Sequence, residues 1–313
     1  MPHPRTFRFG IQLSSAASGT DWAALAREAE DLGYSTLFMP DHFGDQLAPT
    51  PALAAAAAAT TELRVGPLVL DNDYKHPVVT AKEMATLDVL SGGRLELGIG
   101  AGWMASDYES SGILMDQASE RVDRLEEGLA VLKGLFAPGP FSYEGKHYRI
   151  SGLDGLPKPI QQPGPPVLIG GGGPRVLALA GREADIVGIN PAVRSGRVDA
   201  DASRDGMARV TDRKLAWVRD AAGQRYPDIE LNMLLFVVNI SDDRDATLAA
   251  MAPFFQTTPE ELAEYPHAWF GSPEQIADDL VARRERWDVS YLVVQGVDTM
   301  RSAAPIVARL AGT

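Results

Sequence analysis

The chain has 313 residues, 45% hydrophobic and 23% charged, with a formal net charge of −13. That length allows one large domain with a sizeable core, and the acidic balance argues against nucleic-acid or anionic-membrane surfaces, which need clustered Lys and Arg. There is no cysteine, which excludes disulfides, thiolate metal sites and cysteine nucleophiles and fits a cytoplasmic protein.

The N-terminal "MPHPRTFRFGIQL" lacks signal-peptide architecture. The longest apolar run, "ALAAAAAA", is too short to cross a bilayer. Residues 7–13 read as a strand and 20–33 as a helix. Thr20 and Asp21 suit its start, apolar residues recur at 22, 25, 26, 29 and 32, and Gly33 suits its end. A strand "STLFMP" and an Ala-rich helix "PTPALAAAAAAT" follow. Residues 63–70 predict a third strand, 77–93 a helix, 94–100 a fourth strand and 118–136 a fourth helix. The beat then breaks over 137–166, which is rich in Pro and Gly and predicts a hairpin around Glu144-Gly145. "PVLIGGGG" and "PRVLALAGREA" resume as strand and helix, followed by the strand "ADIVGIN" and a helix over 207–223. Residues 229–240 read as a seventh strand, and 241–272 as a second irregular stretch with short helices. A helix over 272–287, a strand over 289–296 and a helix over 299–312 close the chain.

Eight strands alternating with helices predict an α/β fold, a (β/α)8 TIM barrel, with an open doubly wound sheet as the rival. Residues 1–313 then form a single domain, with insertions after the fourth helix and the seventh strand. The active site of such a barrel sits at the C-terminal ends of its strands. Polar and Gly-rich residues collect there.

Strand two ends on Asp41 and His42 in "LFMPDHFG". A metal site is not expected, since His3, His76, His147 and His267 form no ligand-spaced pair with it. No G-x-S-x-G elbow supports a serine triad. His42 is left as a general acid/base or a ligand donor. Gly170 to Gly173 join a strand to a helix and make a candidate anion site of bare N–H groups, or else a merely flexible loop. Gly98, Gly100 and Gly102 alternate, so one strand face lacks side chains; that leaves room for a flat ring, or serves tight packing. Asp71-Asn72-Asp73 reads at least equally well as a solvated loop. Trp22, Trp217 and Trp287 belong to helix patterns, whereas Trp103, at a strand exit, is placed in the pocket.

These stretches carry a resemblance. "FMPDHF", "LVLDNDYKHPVVTAKEMATLDVLSGGRLELGIGAGW", "PVLIGGGGPRVLALAGREAD" and the late "GSPEQIADDL" with "VSYLVVQG" resemble, in order and over nearly the whole chain, the luciferase-like monooxygenase superfamily. The resemblance is strongest to its branch of oxidoreductases dependent on coenzyme F420, a deazaflavin. It implies a TIM barrel with the ring at the C-terminal mouth. The phosphate loop falls on Gly170, Gly171, Gly172 and Gly173; Arg175, next to it, either assists or equally points outward. Ring contacts fall on a non-proline cis bulge near Leu68 and Val69, and on Ala101, Gly102 and Trp103. His42 then stands at the reactive face as acid/base, with Asp41 beside it.

In one respect the chain departs from the pattern. Some F420 dehydrogenases carry an acid where Trp103 stands; Asp107 and Glu109 lie further along, and the second acid stays open. Basic residues typical of sugar-phosphate binding are not recognisable. What the resemblance implies is hydride transfer between F420 and a small organic substrate, in a homodimer. Two alternatives share the fold: an FMN-dependent two-component monooxygenase fed by a separate cofactor reductase, and a non-catalytic accessory barrel.

Overall fold

The computed structural model describes residues 5–14 and 21–313. In chain order the elements begin with β1 (Arg8–Gln12), α1 (Trp22–Asp31), β2 (Thr36–Met39), α2 (Pro49–Ala59), β3 (Arg64–Pro67) and β4 (Leu70–Asp71). Next come α3 (Pro77–Leu90), β5 (Leu97–Gly100), α4 (Ala105–Ser111), α5 (Ala118–Phe136), β6 (Pro140–Glu144), β7 (Arg149–Asp154), β8 (Val167–Gly171) and α6 (Pro174–Glu183). β9 (Ile186–Ile189), α7 (Ala200–Asp205), α8 (Ala208–Ala222), β10 (Glu230–Leu234), β11 (Val237–Ile240), α9 (Arg244–Met251) and α10 (Pro259–Ala263) follow. The last four are β12 (Ala268–Gly271), α11 (Pro273–Trp287), β13 (Val289–Gln295) and α12 (Val297–Leu310).

Nine strands form one parallel sheet in the order β3-β2-β1-β13-β10-β9-β8-β5-β4. Its two end strands, β3 and β4, are consecutive pieces of one barrel strand, interrupted at Leu68-Val69. β3 also touches the segment before β5, where Val65 N–H donates to Arg94 O and Glu96 N–H to Val65 O, each at 3.0 Å. The sheet therefore closes on itself as an eight-unit barrel, as the alternating pattern predicts.

The barrel interior is built in layers. At the N-terminal end Arg8 bridges Glu96 and Glu230, and Arg64 Nε meets Glu96 at 2.8 Å. The Tyr291 hydroxyl donates to Glu96 Oε2 at 2.9 Å. Charges this deep persist only when paired. Above them Phe38, Leu68, Leu168, Ile186, Tyr291 and Val293 fill the middle. The larger apolar cluster lies between the strands and the outer helices.

Local signals explain most boundaries. Asp21 accepts from Ala23 N–H and caps α1, and Gly33 follows at φ +84°. The expected cap contribution of Thr20 lies outside the described residues. Ser272 and Gln275 form a capping box on α11. The expected hairpin is β6–β7. Two readings are corrected. Residues 229–240 are not one strand: the chain leaves the barrel after Leu234, and β11 pairs in parallel with β12 in a separate two-stranded sheet. Residues 63–70 are broken by the bulge at Leu68-Val69, where the peptide is cis. Among the described residues no helix is long and apolar enough to cross a membrane.

Candidate active site

The C-terminal mouth gathers the strand ends. β2 delivers Pro40, Asp41 and His42 directly after buried Met39. β5 ends at Gly100, and the chain turns through Ala101, Gly102 and Trp103 into the short helix α4. That helix turns Asp107 back toward β2. His42 Nδ1 lies 2.7 Å from Asp107 Oδ2, and the Tyr74 hydroxyl donates to the same oxygen at 3.3 Å. The Trp103 ring stands edge-on to His42, with centroids 5.7 Å apart at 89°. Phe43 packs on Tyr74 at 4.6 Å. An imidazole is thus held by a carboxylate inside an aromatic enclosure.

A second carboxylate layer supports the first. Asp41 accepts the Asp71 N–H at 3.1 Å. Burial pushes the Asp41 carboxyl up, while that N–H and the Lys75 charge pull it back. Asp71 accepts from the Tyr108 hydroxyl at 2.7 Å and from Asp73 N–H at 2.9 Å. Burial nonetheless raises it to about 6, with Asp73 and Asp41 adding to the rise. Burial and the charge of Asp71 push Tyr108 well up, so it stays a neutral donor. Arg124 Nη1 meets Asp73 Oδ1 at 2.7 Å and also pairs with Asp116. The solvated-loop reading of residues 71–73 is therefore overturned: Asp71 and Asn72 are buried, and Asn72 donates to the Tyr148 hydroxyl at 3.1 Å.

Of the two readings of the β5 glycines, room for a flat ring or tight packing, the contacts favour packing. A Cβ on Gly98 would fall 2.0 Å from Pro67 O, and one on Gly100 would fall 2.8 Å from Val69 Cγ2. The bulge at Leu68-Val69 occupies that space. Gly102 has φ +73°, and its Cβ would fall 2.0 Å from the Tyr108 hydroxyl oxygen. These glycines position the bulge and the carboxylate layer, and the mouth lies above them. Gln12 Nε2 donates to Leu68 O at 2.8 Å and pins the bulge from β1. Arg121 Nε donates to Ala101 O at 3.0 Å and fixes the strand exit from α5.

The Gly170–Gly173 run divides in two. A Cβ on Gly171 would strike Val176, and one on Gly172 would lie 2.4 Å from Ala192 N. These two are packing glycines. Gly173 has open space where a Cβ would be, and it precedes Pro174 at the start of α6. Its surroundings fit an anion approaching the free N–H groups of a helix start. Arg175 does not turn toward this loop: it is exposed and pairs with Asp123 at 2.5 Å. Behind the loop, buried Lys214 donates to Asn190 O at 2.7 Å and pairs with Asp205, which accepts Ala192 N–H at 2.7 Å. That clamp fixes the 190–192 backbone on which Gly172 packs. Asn190 Oδ1, beside Gly170, is buried without a hydrogen-bond partner. A polar ring edge entering the mouth would satisfy it.

His42, Asp41, Trp103 and Ala101 thus converge on the mouth with Leu68 and Val69, while Arg175 stands apart. Asp107 is the acid that approaches His42; Glu109 is exposed and faces Arg197 at 3.8 Å. Tyr74, Tyr108, Arg121 and Lys214 carried no sequence signal of their own. Among the described residues no cluster of His, Asp and Glu could hold a metal ion.

Comparison with known proteins bears on the family and the fold. A family model described as luciferase-like monooxygenase matches residues 6–289. An F420-dependent glucose-6-phosphate dehydrogenase of Nakamurella multipartita is 28% identical over 318 residues, covering 96% of this chain and 88% of the relative. One of Microbacterium testaceum is 33% identical over 190 residues, covering 57% of this chain and 55% of the relative, about half its length. The structure of the coenzyme F420 dependent tetrahydromethanopterin reductase from Methanopyrus kandleri superposes with a TM-score of 0.77 at 21% identity, covering 98% of this chain and 99% of that one.

Proposed function

The chain belongs to the luciferase-like monooxygenase family, and from that premise we propose that it is an F420-dependent oxidoreductase acting on a small organic substrate, with His42 as acid/base. The observation that carries the reading is the His42–Asp107 pair, at 2.7 Å, set beside Trp103 at the barrel mouth. Asp107 accepts from Nδ1 and leaves Nε2 as the nitrogen that exchanges a proton with the substrate.

The residues present fit the cofactor. Gly173 and the start of α6 would hold its phosphate, and the Leu68–Val69 bulge with Ala101 and Trp103 would bracket its ring. Asn190 Oδ1 offers a buried acceptor to the ring edge. When bound, the deazaflavin supplies hydride exchange at its C5 carbon. The protein orients the substrate carbon, excludes water with Trp103, Phe43 and Tyr74, and moves the proton at His42.

The family's monooxygenase name supports a second reading, in which reduced FMN serves oxygen chemistry. One titration separates the two. Purified protein is mixed with F420 or FMN and ligand fluorescence is followed. Saturable F420 binding without FMN binding is expected. FMN binding with oxygen uptake would transfer the protein to the second reading, and binding of neither would sink both.

A further inference from the structure

The hairpin β6–β7 interrupts the barrel beat and stands outside the chemistry proposed for the mouth. Its turn is anchored to α5 by one side chain. Glu127 accepts the N–H groups of Lys146, His147 and Tyr148 at 2.8, 2.9 and 3.1 Å. Three backbone donors on one carboxylate fix the path of the turn. A Cβ on Gly145 would fall 2.2 Å from Glu127 Oε2, so the glycine is what admits the carboxylate. The base of the hairpin is seated as closely: Phe141 occupies the space that a Cβ on Gly134 would need, 2.1 Å away. A peripheral hairpin that only filled surface would not require such exact seating on α5.

What the seating delivers is Tyr148. This buried side chain reaches the loop between β4 and α3, residues 72–76, and meets it at both ends. Asn72 Nδ2 donates to the Tyr148 hydroxyl at 3.1 Å. The His76 ring stands edge-on to the Tyr148 ring, with centroids 5.2 Å apart at 79°. Asn72 also donates its own N–H to Gly100 O at 3.0 Å, which ties the same residue to the exit of β5. α5 makes room for it, since a Cβ on Gly128 would fall 2.3 Å from Asn72 Oδ1. Midway between the clasped ends is Tyr74. Its hydroxyl donates to Asp107 Oδ2 at 3.3 Å, the oxygen that lies 2.7 Å from His42 Nδ1. Burial and the charges of Asp71 and Asp107 push the Tyr74 phenol well up, so it keeps its proton and remains a donor. A hydroxyl bond of that length is at the long end of the useful range, and a shift of a few tenths of an ångström in the loop would break it.

We propose that Tyr148 is a positioning residue for the His42–Asp107 pair: by clasping Asn72 and His76 it fixes the 72–76 loop and keeps the Tyr74 hydroxyl on Asp107. It acts through the loop and touches neither His42 nor Asp107. The proposal rests on the role given above to the pair. An Asp107 oxygen shared between Tyr74 and His42 Nδ1 is held in one rotation, and the Nδ1 proton between the two side chains is shielded. Release of Tyr74 frees the carboxylate to turn and opens that proton to water. The hairpin thus belongs to the site, as its outer brace.

Exchange of the His42 ring proton with water, followed by NMR on the nitrogen-15-labelled protein without ligand, tests it. Tyr148→Phe keeps the ring against His76 and removes only the oxygen to which Asn72 donates; Asn72→Ala removes the other side of the same bond. The wild-type protein is expected to show a protected Nδ1 proton. Each variant should exchange it about tenfold faster or more, and the double variant no faster than the quicker single one, because both remove one interaction. Ile150→Val is the control. It shortens a buried side chain of the same hairpin, whose cross-strand partner is Tyr143, and should lower the urea midpoint while leaving the His42 proton at the wild-type rate. A wild-type rate in Tyr148→Phe, or equal acceleration in Ile150→Val, would overturn the proposal and leave Tyr148 as packing. A wild-type protein with no protected Nδ1 proton would sink the His42–Asp107 reading and this proposal with it, so the two failures are told apart.

Discussion

Asp107 Oδ2 lies 2.7 Å from His42 Nδ1 although the two residues are 65 positions apart in sequence. A carboxylate only accepts hydrogen bonds, so the pair places the proton on Nδ1 and keeps Nε2 available. Asp107→Asn presents a donor to Nδ1 and favours the opposite tautomer. Turnover is expected to fall by about 10²-fold or more, with KM changed only a few-fold. Nitrogen-15 NMR of His42 reads the tautomer independently of activity. A switched tautomer with unchanged turnover would refute this role for Asp107.

His42→Ala should keep F420 binding and lower turnover by about 10²-fold or more. Combined with Asp107→Asn it should lose little further activity, because residues acting as one unit are not additive. Fully additive losses in the double variant would show that the two side chains work separately.

The anion cradle makes a prediction that Arg175 does not share. At Gly173 the backbone has φ −88° and ψ 155°, which any residue adopts, and a side chain has open space. Gly173→Asp should fold normally yet weaken F420 binding by about tenfold or more, since it sets a carboxylate where the phosphate would dock. Arg175→Ala should change affinity by less than about threefold, because Arg175 is held in an exposed pair with Asp123. Fluorescence titration of both variants measures this. The reverse ranking would move the phosphate site.

His42 was legible because its strand is short, apolar and ends abruptly on polar residues, which the barrel count places on the mouth. Asp107 was harder to assign. It sits in "ASDYESS", a single polar helix of two turns with no apolar stripe to announce it. Only the three-dimensional return of α4 toward β2 selects it over Glu109. Gly98 and Gly100 left two readings open for a related reason. Alternation shows that a face lacks side chains but not what fills the space, and Val69 arrives from a neighbouring strand. The split at Leu234 escaped too, since β10 and β11 are one apolar run in sequence and differ only in which strands they pair with.

Gly102→Ala should be severely destabilising. The position has φ +73°, and its Cβ would fall 2.0 Å from the Tyr108 hydroxyl oxygen and 2.3 Å from Asp71 Oδ2. The left-handed backbone alone costs about 1–2 kcal/mol, and disrupting the buried Tyr108–Asp71 hydrogen bond adds about 1–3 kcal/mol. Urea unfolding at neutral pH should show a lowered midpoint. A midpoint equal to wild type would mean that the strand exit yields more readily than its contacts imply.

Two buried groups set opposing pH dependences of stability. His267 is fully buried with one ring nitrogen bonded to Leu234 O, and burial lowers it to about 4. The unfolded chain takes up that proton near pH 6.5, so between 6.5 and 4 the unfolded state binds more protons. Stability from His267 is present above pH 6.5 and is lost as pH falls through 4, by about 3 kcal/mol in full. Asp71 acts in the opposite sense. Its folded value of about 6 exceeds the ordinary 3.8, so the folded state binds the extra proton between them. Its contribution is present below about pH 4 and is lost as pH rises through 6. Urea unfolding at pH 7 and pH 5 separates them. His267→Gln should flatten the loss of stability on acidification, whereas Asp71→Asn should steepen it. Carboxyl carbon-13 NMR should show Asp71 titrating near pH 6. A native Asp71 resonance already ionised at pH 5 would remove its share of this balance and leave His267 to act alone.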